Sequence, residues 1–202
     1  MMNRRTLIAT ALTAALMPGL ALAEKLSLAE ISKYLNALTT AEAPFTQINA
    51  DGSGAKGKVI IRRPGRMRFE YVKPDKTVVL ASAGQVAVFD DKSNQPPEQY
   101  PLAKTPLNLI LGKKIDLSAA DMVVGHSEEG KLTVVTAQDP KHPEYGSIAL
   151  GFSSGPVALR QWVLTDQMGA ETTVLLGDLV KGGDYPPSTF LIDSEIAKRG
   201  LN

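Results

Sequence analysis

Between residues 26 and 38 the apolar positions recur at helical spacing, and Leu28, Ile31, Leu35 and Leu38 fall on one stripe. Ser27 and Glu30 spell an S-x-x-E capping box, with Leu26 and Ile31 placed to staple across it. The pattern predicts an amphipathic helix over 27–38, with Pro44 ending helical possibilities. Beyond it the period changes to two. Strands are predicted over 45–50, 57–63, 66–72, 77–82, 85–90, 121–126, 131–137, 147–152, 158–166, 171–179 and 189–193. Turn signals separate them: "DGSG" at 51, "RPG" at 63, "KPD" at 73, "SAG" at 82, "EEG" at 128 and "SSGP" at 153. Such short gaps favour antiparallel pairing of consecutive strands. The long break runs from 91 to 120. Within it Pro106 can open a short helix of Leu107, Leu109, Ile110 and Leu111, and Gly112 can close it.

The result is a mainly β chain, a long antiparallel meander with a few short helices and no linker dividing it. Alternation assigns inward rows: Val59 and Ile61; Met67, Phe69 and Tyr71; Val78 and Leu80, or Val79 instead; Ile148, Leu150 and Phe152; Trp162 and Leu164. Two short helices, 27–38 and 105–111, cannot seal so wide a face as tightly as an ordinary core. Either the barrel closes on itself, or a cavity remains under a thin lid.

One position breaks the alternation. In "KVIIRRPGRMRFEY", 58–71, Val59 and Ile61 share a face, and the next residue on it is Arg63. A guanidinium ending an apolar row needs acceptors. Pro64 ends the strand, so Arg63 sits at the rim of the face. From there it can either latch onto carbonyls of a covering helix or snorkel into water.

Charge and composition narrow the setting. Arg4 and Arg5 precede an apolar stretch and then "ALA" at 21–23, which predicts an export signal cleaved after Ala23. The signal is of the Sec or twin-arginine type. A single domain, 24–202, would remain, of 202 − 23 = 179 residues. Losing Arg4 and Arg5 takes the formal charge from +1 to −1, which argues against a nucleic-acid binder. The chain has no cysteine, so neither disulfides nor a lipid-anchored N-terminal cysteine are expected. Eight lysines and arginines lie between Lys56 and Lys76 against Glu70 and Asp75. They form either a solvated outer face or a docking surface, with Lys58, Arg66 and Arg68 as its candidates.

Several chemical motifs appear in spelling alone. Gly52, Gly54 and Gly57 read G-x-G-x-x-G, but a strand follows where a dinucleotide site needs a helix. Gly151, Ser153 and Gly155 read G-x-S-x-G, the signature of a serine hydrolase elbow, without the following helix. His126 and His142 stand apart, and Asp90 and Asp91 suit a turn, so no metal ligand set, catalytic group or cofactor site is expected.

An ordered set of segments resembles the LolA family of periplasmic lipoprotein carriers. It comprises "PFTQ" (44–47), "DGSG" (51–54), G-x-V-x-I-x-R-P-G-x-x-R-F-x-Y (57–71), "KPD" (73–75), "SAGQVAVFD" (82–90), "NQ" (94–95) and "TPLNLIL" (105–111). The resemblance implies an incomplete, strongly curved antiparallel β-barrel with helices forming a lid over an apolar cavity for lipoprotein acyl chains. It assigns the lid latch to Arg63, just before Pro64. Cavity residues would be Val59, Ile61, Met67, Phe69, Tyr71, Phe89, Ile148, Leu150 and Trp162. Lid residues would be Leu28, Ile31, Leu35, Leu38, Pro106, Leu107 and Ile110. The implied partners are an inner-membrane lipoprotein-releasing ABC transporter complex and an outer-membrane acceptor, served by a monomer without enzymatic chemistry. A lipid-binding sensor on the same fold is the alternative, with a hydrolase at Ser153 more distant.

Overall fold

The computed structural model describes residues 25–74, 76–119 and 121–201. The export signal predicted over 1–23 lies outside the described residues. Helix α1 (Leu28–Ala37) begins as its sequence dictates. Ser27 Oγ accepts the Glu30 N–H (3.2 Å), and the Glu30 carboxylate accepts the Ser27 N–H (2.8 Å). Leu26 and Ile31 are both buried around this cap.

Twelve antiparallel strands follow among the described residues: β1 (Thr40–Ile48), β2 (Gly54–Arg62), β3 (Arg66–Tyr71), β4 (Val78–Ser82), β5 (Gln85–Phe89), β6 (Glu98–Pro101), β7 (Val123–Glu129), β8 (Leu132–Gln138), β9 (Ser147–Ser154), β10 (Val157–Thr165), β11 (Glu171–Leu176) and β12 (Val180–Lys181). Helix α2 (Leu107–Leu111) lies between β6 and β7, and helix α3 (Ile192–Arg199) follows β12. The sheet order is β6-β5-β4-β3-β2-β1-β11-β10-β9-β8-β7, with β12 also pairing β1. The sheet is open. Its edges, β6 and β7, do not meet, and both guard against further pairing, β6 with Glu98 and Pro101 and β7 with an irregularity between Val123 and Gly125.

The structure departs from the sequence pattern in identifiable places. Pro44 lies inside β1 rather than before it. It needs no donor there, because its carbonyl accepts the Gly177 N–H (2.9 Å) and β11 ends one residue earlier. The strands β6 and β12 are additional. The strand expected over 189–193 is instead a 3-10 turn, Pro187–Phe190, leading into α3. The start signals were present in Asp193 and Glu195, and the stop signals in Lys198, Arg199 and Gly200. Gly200 adopts a left-handed conformation (φ 66°), and Leu201 N–H reaches back to the Ile196 carbonyl (3.1 Å).

Each sheet face has its own apolar cluster. The inner face gathers Phe45, Val59, Ile61, Met67, Phe69, Ile148, Leu150, Phe152, Trp162 and Val174 with the buried side of α1 and α2. Val79, not Val78 or Leu80, faces this cluster. The outer face has Val78, Leu80, Ala87 and Phe89, covered by Ile192, Ile196 and Leu201 around α3. Gly57 fits beneath Phe45 on the inner face. A Cβ there would stand 2.2 Å from the Glu70 carbonyl oxygen and 2.7 Å from the Phe45 ring, so the glycine spelling reflects strand packing.

Candidate functional site

Arg63 follows β2 directly, and the Arg63–Pro64 peptide bond is cis. Its backbone N–H donates to the Thr39 carbonyl (2.8 Å), which fixes the start of the turn. Its side chain joins both covering helices. Nη1 donates to the carbonyl of Leu35 in the last turn of α1. Nη2 donates to the carbonyl of Gly112, the cap residue of α2 (2.7 Å), and approaches Asn36 Oδ1 (3.5 Å). These carbonyls have few partners within their own helices, and a cation is favoured at a helix C-terminus. Arg63 is half-buried, and burial pulls its pKa below the usual value. Its buried Nε finds no acceptor among the described residues. A backbone bond reinforces the same corner, with Gly65 N–H donating to the Leu111 carbonyl (2.9 Å).

Sequence reasoning missed the rest of the cover over the inner face. Asn36 donates to the Ile115 carbonyl (2.6 Å) and accepts the Ile115 N–H (3.0 Å). Ser32 Oγ accepts the Leu117 N–H (2.9 Å). Ile115 and Leu117 are themselves buried in the inner cluster. The segment after α2 therefore clips onto α1, although its residues carry no periodic signal. The visible hints were the two isolated apolar side chains in a polar stretch and a polar residue on the buried stripe of α1.

Beneath the lid, Val59, Ile61, Met67, Phe69, Ile148, Leu150 and Trp162 share the inner cluster, and Tyr71 packs against it. Phe45 meets Phe69 and Tyr71 edge to face at 5.4 and 5.1 Å, and Phe69 meets Trp162 at 6.1 Å. Tyr71 donates to Gln47 Oε1 (2.6 Å), and burial pushes its phenol up to about 12. From the lid, Ile31, Leu35, Leu38, Leu107 and Ile110 enter this cluster, Leu28 packs against it, and Pro106 is half-buried at the α2 cap. Ile31, Leu35 and Leu38 are no more than 3% exposed. Side chains of α1 and α2 thus occupy the hollow that the sequence pattern left open, where a void would forfeit dispersion contacts.

Two expected site residues lie elsewhere. Phe89 is on the outer face under α3, one strand position out of phase with the inner row. Arg68 is not an exposed docking residue. It is 4% exposed, bonded to Glu70 (2.7 Å), Glu195 (3.0 Å) and the Thr189 carbonyl (3.3 Å). The unforeseen helix α3 covers it. Arg199 completes this network through Glu195 (2.8 Å) and lies 5.4 Å from the Phe89 ring centre. Burial raises the Glu195 pKa, but hydrogen bonds from Arg199 and Arg68 and the charges of Arg68 and Lys198 outweigh it, and the net shift is downward. Lys58 is exposed beside Glu42 (3.5 Å), and Arg66 is half-buried.

The remaining motifs are structural in their bonding. Ser153 Oγ donates to the Pro156 carbonyl (2.8 Å) in the β9–β10 hairpin, and Arg160 Nε donates to Ser153 Oγ (3.2 Å). His126 Nε2 is 2.9 Å from the Leu26 carbonyl, and His142 bonds to Glu144 (3.0 Å). Asp90 caps its own turn by accepting the Lys92 N–H (2.9 Å).

The family described as "Outer membrane lipoprotein carrier protein LolA" matches residues 36–193. The chain belongs to the LolA family. The match begins at Asn36, whose Oδ1 lies near the Arg63 guanidinium, and ends at Asp193 in the first turn of α3. An outer-membrane lipoprotein carrier protein of Pseudomonas paraeruginosa is 27% identical over 199 residues, covering 93% of this chain and 94% of the relative. A protein of the same name from Methylococcus capsulatus is 23% identical over 176 residues, covering 83% and 84%. Among solved structures, an outer membrane lipoprotein-sorting protein domain from Vibrio parahaemolyticus superposes with a TM-score of 0.47 at 11% identity, covering 81% of this chain and 94% of that one. Among the described residues of this LolA-family chain, no helix is long and apolar enough to cross a membrane.

Proposed function

We propose that this LolA-family chain is a periplasmic carrier that binds the acyl chains of lipoproteins released from the inner membrane. It would pass them to an outer-membrane acceptor without chemical change. The observation that carries this reading is Arg63, whose side chain ties α1 and α2 together across the apolar inner face. A core that never opened would gain little from a charged clasp at its rim. The names of the relatives support the same reading.

Shelter drives loading. Each buried methylene is worth about 0.8 kcal/mol, so one chain of about sixteen carbons gains on the order of 10 kcal/mol. Acyl chains would take the place of Ile31, Leu35 and Leu38 against the inner face as the lid lifts. Lifting breaks the Arg63 bonds to Leu35 and Gly112. Each charge-assisted bond is worth roughly 1.5–3 kcal/mol, towards the lower end here because the guanidinium is half-exposed. That cost weakens retention and returns the emptied protein to its closed form. Direction then comes from an acceptor with higher affinity. The exposed lysines 56, 58, 73 and 76 form the surface that docks an acidic patch on the releasing ABC transporter complex or the acceptor.

Spheroplasts incubated with the purified protein test this reading. A carrier releases lipoproteins into the soluble fraction in stoichiometric complex with itself. Lipoproteins that stay on the membrane at every concentration of added protein would refute it; a sensor of free lipid behaves in that way.

A further inference from the structure

The inner face holds a polar feature that the latch does not use. Trp162 is fully buried in the middle of β10, and its Nε1 has no hydrogen-bond acceptor among the described residues. Buried indole N–H groups ordinarily find a partner. Here the surroundings offer none. Its register partners are Leu150 and Val174, and Phe69 packs against it at an interplanar angle of 80°. A trapped water is a poor answer, because such a water needs two or more polar partners.

The strand is irregular beside this residue. Pairing of β10 with β9 shifts between Leu159 and Gln161. That bulge lets Leu159 and Trp162, three positions apart, both face the inner cluster. It also leaves the Leu159 N–H to donate to Tyr34 Oη of α1 (3.2 Å). Tyr34 therefore seats the lid on β10, and lifting α1 removes the acceptor of Leu159. The open face would then present two donors, Leu159 N–H and Trp162 Nε1, amid otherwise apolar walls.

We propose that Trp162 Nε1, with the Leu159 N–H three residues before it, receives an acyl carbonyl oxygen of the bound lipid. This rests on the carrier reading and refines it: the site selects acyl esters or amides over saturated chains lacking a carbonyl. The closed protein leaves the Trp162 donor unsatisfied, and cargo supplies the missing acceptor.

The chain has a single tryptophan, so its indole gives one ¹H–¹⁵N resonance. The test titrates the whole folded protein with a dipalmitoylglyceryl-cysteinyl peptide and with its dialkyl-ether analogue. The diester should move the indole proton downfield, and the diether should bind without that shift. Trp162→Phe should weaken diester binding roughly tenfold more than it weakens diether binding. Equal indole shifts with both probes would overturn the proposal, as would an equal loss for both in the variant. If the parent protein binds neither probe, the carrier reading itself fails.

Discussion

The guanidinium of Arg63 and the main-chain carbonyl of Leu35 are bonded across 28 positions of sequence, from the end of β2 to the last turn of α1. The same side chain holds the Gly112 carbonyl at 2.7 Å. One side chain thus bonds to both helices at once, beside the separate Gly65–Leu111 and Leu159–Tyr34 bonds that each makes alone. Arg63→Leu should keep the fold and lose the clasp. Removing about 3 kcal/mol of opening cost, two bonds at the low end, tightens acyl-chain binding roughly 150-fold and slows hand-off by a similar factor. Arg63→Lys should fall between the two, since an ammonium lacks the planar fork that spans both carbonyls. Equilibrium binding of a dipalmitoyl peptide and its transfer to acceptor-bearing vesicles measure both quantities. Affinity no higher than that of the parent would rule out a clasp.

Asn36 should control the second half of the lid. Its amide makes both a donor and an acceptor contact with the main chain of Ile115. Asn36→Ala leaves two backbone groups with poorer partners and should cost about 1–2 kcal/mol locally. Hydrogen exchange of the Ile115 amide should speed up roughly tenfold or more, with exchange in β2 and β3 unchanged. Unaltered exchange at Ile115 would show that the segment is held by apolar burial alone.

Acid should loosen the outer face. The Glu195 carboxyl titrates below its usual value of 4.5 in the folded protein. A lowered folded pKa means that the ionised form contributes stability above the unfolded pKa. That contribution is lost as pH falls through the folded one. Glu195→Gln should therefore be less stable than the parent at neutral pH, because Arg68 and Arg199 lose an ionised partner, with the loss limited by Glu70, which still neutralises Arg68. Urea unfolding of both proteins should converge as pH drops below 4.5. Parallel stability curves down to low pH would assign the stability of α3 to its apolar contacts.

Much of this architecture is legible in the residues because local rules agree with the global fold. Ser27 and Glu30 set the start of α1, and Met67, Phe69 and Tyr71 alternate cleanly against Arg66, Arg68 and Glu70. Arg63 stood out for a physical reason, a charge ending an apolar row, and the structure gives it acceptors. What failed depended on long-range covering. Nothing local tells that Arg68 is buried, because α3 comes more than a hundred residues later to cover it. Phe89 shows the opposite error: an aromatic near the end of a strand was placed inside when its strand phase points outward. Pro44 misled because a proline can sit in a strand where only its carbonyl is needed.

The central claim is that the lid moves as a unit released by Arg63. With no native cysteine, Lys33→Cys on α1 and Lys58→Cys on β2 give a clean pair of exposed spin-label sites. Pulsed electron–electron double resonance should report one narrow distance in the lipid-free protein. A longer population should appear with a dipalmitoyl peptide, and without any lipid once Arg63→Leu is introduced. One unchanged distance in all three samples would contradict the account.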